Sequence, residues 1–149
     1  MTEKKQTFIS LDTILDRSND DIKATSEGEF EIEGLGLVPY TSVDHDEYKA
    51  IKKATTKMVP NGTGGMHSDV DEDEMMLQLI VEAVHKDKRS TFTFRDKRML
   101  DKFGVTKDTS VVKKIMKPGE VVKFALAIQN ASGFGKKAQA EASDAVKNS

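Results

Sequence analysis

The sequence predicts a mainly α-helical fold: a compact helical domain with a small N-terminal β-hairpin and flexible termini. Three observations predict it. Apolar residues recur at helical spacing through most of the second half, most fully at Val121, Phe124, Ala125 and Ile128, an i, i+3, i+4, i+7 stripe. One stretch, Glu29 to Tyr40, instead alternates with a period of two. Residues 1–7 are polar, and the tail after Gly135 is alanine-rich and polar without large apolar anchors. The 149 residues fit one domain, divided as 1–28, a mobile segment with a short helix; 29–135, a single α-rich domain; and 136–149, a flexible tail.

In chain order, Ser10 can cap a short helix carrying Leu11, Ile14 and Leu15. This helix reads as a peripheral element packed on the core or as a partner-binding peptide, because RSNDDIKATSEGE after it reads as linker. Phe30 and Ile32 alternate with glutamates, and Gly34-Leu35-Gly36 supplies a turn before Leu37, Val38 and Pro39. That pattern is a hairpin, with Pro39 at an edge or strand end, and it must lie on helices because a lone hairpin is marginal in water. Asp44 and Glu47 form a capping-box pair for a helix whose face runs through Tyr48, Ile51, Thr55 and Met58. Lys49, Lys52, Lys53 and Lys57 then fall on a solvated face. Pro60 ends that helix, and residues 61–65, NGTGG, read as a flexible loop.

Residues 74–85 are apolar around much of a helix and should be the central, most buried one. Asp69, Asp71 and Asp73 have the spacing of a calcium loop's opening, but Glu74 stands where that loop needs Gly and Ile80 where it needs its bidentate Glu. Acidic residues favouring the helix N-terminus explain them better. Residues 86–89 read as an exposed turn. Residues 91–94 are either a brief strand or the approach to a helix capped by Thr93 and Asp96 and stopped by Gly104, with Phe92 and Phe94 anchoring the core. Val111, Val112, Ile115 and Met116 mark a short helix capped by Asp108 or Thr109. Lys117 is held extended by Pro118, which fits the first position of the last helix. Gly133 ends that helix as a left-handed residue, with Phe134 folding back on the last turn.

Composition narrows function. A net charge of −2 and a pI near 5.9 argue against a broad electrostatic grip on nucleic acid or anionic membrane. No apolar run approaches 18 residues, and the first residues lack a signal peptide's apolar region, so the expected place is a cytosol. Zero cysteines exclude disulfides, thiolate zinc sites and cysteine nucleophiles. His45, His67 and His85 lie apart, with His85 suited as a cation to a helix C-terminus. The serines lack a nucleophile-elbow context, and the glycine loop lacks the Gly-Lys-Ser/Thr ending of a phosphate loop. No enzyme, cofactor or metal is expected.

The order of VPYTSVDHDEY, MMLQLIVEAV, FRDKRMLDKFGV and KKIMKPGEVVKFALAIQNASGFG resembles the XkdN-like tail assembly chaperones of tailed phages and prophages. The KPGE corner and the final SGFG are the most family-like pieces. The resemblance implies a non-enzymatic protein of the host bacterial cytoplasm, absent from the mature virion. It would bind the long helical tape measure protein, keep it soluble and help recruit tail tube protein. It also implies a frameshifted longer form of the protein, its junction sought after Gly135. A client helix needs an apolar surface. Val122 and Leu126 form a second apolar line on the last helix, beside the Val121 stripe; one line can serve the core and the other a client, or both can be buried. The candidate partner-binding residues are Val122, Leu126, Phe134, Leu11, Ile14 and Leu15. Two other classes fit less well: a minor tail or connector component of the virion, and a nucleic-acid-binding regulator using the basic residues between 86 and 98.

Overall fold

In a computed structural model, which describes residues 8–18 and 25–134, six helices and two two-stranded antiparallel sheets are found among those residues. Helices make up half of the structure rather than most of it; the expected first hairpin is present, and the fold carries a second hairpin that the helical reading of residues 45–58 concealed. The expected C-terminal tail, 136–149, lies outside the described residues, as do residues 1–7.

Helix α1, Leu11–Asp16, is capped by Ser10, whose hydroxyl accepts from the Thr13 N–H at 3.2 Å; none of its residues is buried. Strands β1, Glu27–Ile32, and β2, Gly36–Thr41, pair with Phe30 opposite Val38 and Gly28 opposite Tyr40. The register puts Phe30, Ile32, Val38 and Tyr40 on the face that meets the helices. Pro39 is tolerated because each strand of a two-stranded ribbon is an edge. The strand begins two residues before the domain boundary expected at 29, so part of the presumed linker is already sheet.

Helix α2, His45–Thr55, has the expected capping box: Asp44 accepts from the Glu47 N–H at 2.8 Å and Glu47 from the Asp44 N–H at 2.9 Å. It ends three residues before Met58. Thr55 and Thr56 turn their hydroxyls onto the carbonyls of Ile51 and Lys52, a local competition that β-branched hydroxyl residues win near helix ends. The chain continues as β3, Thr56–Pro60, paired with β4, Met66–Val70. The glycine loop is their ordered turn, with Asn61 Oδ1 accepting from the N–H groups of Thr63 and Gly65. Met58 therefore sits exposed on a strand, not on a helix face.

Helix α3, Glu72–Lys86, is the central element. Seven of its residues are buried, from Met75 to Val84, and it packs on α2, β2 and the two C-terminal helices. Asp71 caps it by accepting from the Glu74 N–H at 3.1 Å, and Glu72, Asp73 and Glu74 fill its first turn, as the helix-start reading of the acidic run expects; Asp69 instead lies in β4, opposite Lys57. Helix α4, Lys97–Phe103, is capped by Asp96 and stopped by Gly104 at φ 63°. The Arg98 guanidinium and backbone N–H hold the Asp96 carboxyl down to about 2. Helix α5, Asp108–Ile115, begins after Lys107, and the expected caps act differently: the Asp108 carboxylate accepts from the Thr109 N–H at 2.7 Å.

Helix α6, Pro118–Ala131, buries Val121, Phe124, Ala125 and Ile128 as the stripe required. Glu120 accepts from the N–H groups of Lys117, at 2.9 Å, and Glu33, at 3.1 Å, which ties the start of α6 to the β1–β2 turn and lowers its own pKa. The end is a Schellman motif: the Phe134 N–H reaches the Gln129 carbonyl at 2.8 Å, the Gly133 N–H reaches Asn130, and Gly133 has φ 97°. Gly133→Ala is expected to cost about 1–2 kcal/mol, the penalty of forcing a Cβ into positive φ; equilibrium urea unfolding measures it.

The presumed exposed turn after α3 is instead a clamp. Asp87 is 4% exposed. It accepts from the Thr41 hydroxyl at 2.9 Å and pairs with Arg89 at 2.9 Å; Arg89 also meets Glu29 at 2.7 Å and donates to the Gly28 carbonyl. Burial alone would raise the Asp87 pKa, but the Arg89 and Thr41 hydrogen bonds outweigh it and hold the carboxyl below its ordinary 3.8. A depressed carboxylate stabilises the fold above its unfolded pKa, and that contribution fades as pH falls through the folded value. Acid unfolding of the wild type should therefore include a loss beginning near pH 4. Asp87→Asn is expected to lower stability at neutral pH and flatten that limb in thermal melts across pH 2–7.

Candidate functional site

Among the described residues, two sizeable surfaces combine exposed apolar side chains with a concave shape, besides a small hollow of about 130 Å³ where Phe134 meets Tyr48 and Val43. The larger lies where the tip of the β1–β2 hairpin overhangs α4 and α5. Ile32, Leu35, Leu37 and Val38 form one wall, and Phe92, Met99, Phe103 and Ile115 the other. The enclosed volume is about 400 Å³, and Lys102 is the charged side chain on its lining. Leu35 is 70% and Leu37 69% exposed, although Ile32 and Val38 beside them are core. Both leucines thus leave apolar surface in water that a short turn does not require.

The local folding explains the groove. Glu120 holds the hairpin near its turn and the Arg89 clamp holds its open end, leaving the tip standing off α4. Phe94, fully buried and edge-on to Phe92 at 5.0 Å, anchors the loop before α4. His85 Nδ1, 2.9 Å from Thr93 Oγ1, pins the same loop to α3. Burial, with Arg95 and Lys88 nearby, pushes the His85 pKa down. His85 does stand in the last turn of α3 as expected, but desolvation and the two cations disfavour its charged form there, against the pull of the helix end and of Glu82 and Asp108.

The second surface, of about 290 Å³, is lined by Asp73, Met76, Leu77, Lys113, Met116, Pro118, Val121 and Val122. Here Val122 is exposed, whereas its stripe neighbour Val121 is core. The remaining candidate residues scatter. Leu126 is half-buried on α6. Phe134 is exposed but rests on Tyr48 with ring centroids 5.1 Å apart. Leu11, Ile14 and Leu15 share the exposed face of α1. They do not converge on one site.

A larger hollow, about 490 Å³, lies between α3, α4 and α5 and is polar. Its central cation is paired within the fold: Arg95 meets Glu82 at 2.6 Å and approaches Asp108 at 3.5 Å. Burial would raise the Glu82 pKa, but hydrogen bonds from Arg95 and Glu47 together with the charges of Arg95 and His85 outweigh it and lower the pKa. Arg95 is thus committed within the fold, and so is Arg89, which weakens the reading of residues 86–98 as a free basic patch. Among the described residues, no cluster of histidine and carboxylate side chains is arranged to hold a metal ion, and no helix is long and apolar enough to cross a membrane.

The groove residues each have a local reading as core or turn, so sequence reasoning passed over them. The available signal was Leu37, an apolar residue on the outward phase of an alternating strand, opposite Glu31.

A family model described as phage XkdN-like tail assembly chaperone protein matches residues 11–147. No curated protein matches the chain. Among solved structures, the crystal structure of the protein YqbN is similar, at 14% sequence identity and a TM-score of 0.56, covering 87% of this chain and 100% of that one. At that identity the likeness concerns the fold.

Proposed function

The chain belongs to the phage XkdN-like tail assembly chaperone family, and from that premise we propose that it binds the tape measure protein, keeps it soluble in the host cytoplasm and helps recruit tail tube protein. The groove between the β1–β2 tip and α4–α5 is the seat for an apolar client helix. One observation carries this reading: a rigidly framed concave surface with two largely exposed leucines, Leu35 and Leu37, facing Met99, Phe103 and Ile115. A groove of that shape accepts the apolar face of an amphipathic helix, which is the chemistry a long helical tape measure exposes before tube protein surrounds it. The Val122 surface is a second seat for the same kind of client or for the tube subunit. The longer frameshifted form belongs to the same proposal, its junction in residues beyond those described.

Co-expression with the tape measure protein tests the proposal. The expected result is that the tape measure moves to the soluble fraction and co-purifies with the chaperone, while finished virions lack the chaperone. An insoluble tape measure together with this chain in purified particles would overturn it in favour of a structural tail component.

A further inference from the structure

Among the described residues, two of the uncovered apolar surfaces are joined by a short tether. One is the groove just described. The other is α1, whose Leu11, Ile14 and Leu15 lie at i, i+3, i+4 with no buried residue among them. Its Ser10 cap and first-turn Asp12 give it the signals of a helix, yet six residues are too few to hold one in water unaided. Such a helix needs something to lie on.

The charges of the two surfaces are complementary. Asp12 and Asp16, one turn apart, flank the α1 leucines. Lys102 is the charged side chain among the groove's lining residues, with Lys114 beside Ile115 and the carboxylates of Glu31 and Asp101 next to the lining rather than on it. The tether is sufficient as well. Residues 17–26 separate α1 from β1 and span at most about 33–36 Å. The groove is at the far end of a six-residue strand, about 20 Å from the tether's attachment. Contacts from one and a half helical turns are weak between separate molecules. A tether of this length raises their effective concentration to the order of millimolar.

We infer that α1 is a tethered occupant of the groove, with Leu11, Ile14 and Leu15 seated against Leu35, Met99, Phe103 and Ile115, and Asp12 and Asp16 beside Lys102. The client must then displace the chain's own helix, which shields the groove until a tape measure segment arrives. The displacement rests on the client reading above; the docking does not.

The absence of native cysteine makes the test direct. In the full-length chain, Leu15→Cys is combined with Leu35→Cys at the groove, or with Met58→Cys on the β3–β4 hairpin as a collision control. All three positions are exposed, so the fold tolerates them. Under mild oxidation without client, the first pair is expected to close to an intramolecular disulfide at least tenfold faster than the control pair. Equal closure rates would overturn the inference, and so would a disulfide-linked dimer as the main product of the first pair, which would give the groove to a second copy. Since no tape measure is present, failure here leaves the co-purification result untouched, and the converse also holds.

Discussion

Phe124→Ala is expected to lower the unfolding free energy by about 3–5 kcal/mol. The ring is fully buried on α6, stacked on Phe30 at 4.4 Å and 6° and met edge-on by Tyr40 at 5.3 Å and 63°. Aromatic contacts of this kind add about 0.5–1.5 kcal/mol beyond area burial. The site cannot relax readily. Phe30 and Tyr40 belong to a hairpin held by Glu120 on one side and by Asp87 and Arg89 on the other, so truncation leaves a cavity. For a folded part of this size the melting temperature should fall on the order of 10–20 °C. Urea unfolding followed by circular dichroism measures the change. A loss under about 1 kcal/mol would mean that the ring is not where α6 and the hairpin join.

Leu37→Asp is expected to separate function from stability. The side chain is largely exposed, so the free protein should keep its stability within about 0.5 kcal/mol. At the client seat the change removes a leucine's burial, about 1.5–3 kcal/mol, which corresponds to a roughly 10- to 150-fold weaker complex. Retention of the tape measure in the soluble fraction should collapse accordingly. Val122→Asp provides the contrast on the α6 surface. If Val122→Asp abolishes capture and Leu37→Asp does not, the client seat is on α6 and the groove assignment is wrong.

The family-level expectation and most of the helices were legible because they depend on short-range rules. The capping box at Asp44 and Glu47, proline at the start of α6, the glycine stops at Gly104 and Gly133, and the Phe124 stripe each involve residues within a few positions of one another. The first hairpin was legible for the same reason: its alternation and its Gly34–Gly36 turn are contiguous. The second hairpin was not. Thr56, Met58, Pro60, Met66 and Ser68 share a face only once the register pairs Met58 with Ser68. Read alone, Tyr48, Ile51, Thr55 and Met58 fit helical spacing as well.

By itself, then, the sequence determined a helix-rich domain built on the 74–85 helix, the corner at Pro118, a first hairpin lying on helices, and a resemblance that the family match bears out. Only the tertiary structure decided which apolar residues remain uncovered. Leu35 and Phe103 are 68 positions apart and line the same groove, while Val121 is buried and its neighbour Val122 is not. It also decided that Asp87 is buried and Arg89 committed. Periodicity assigns a residue to a face of its own element, but whether that face is covered depends on elements brought alongside by long-range packing.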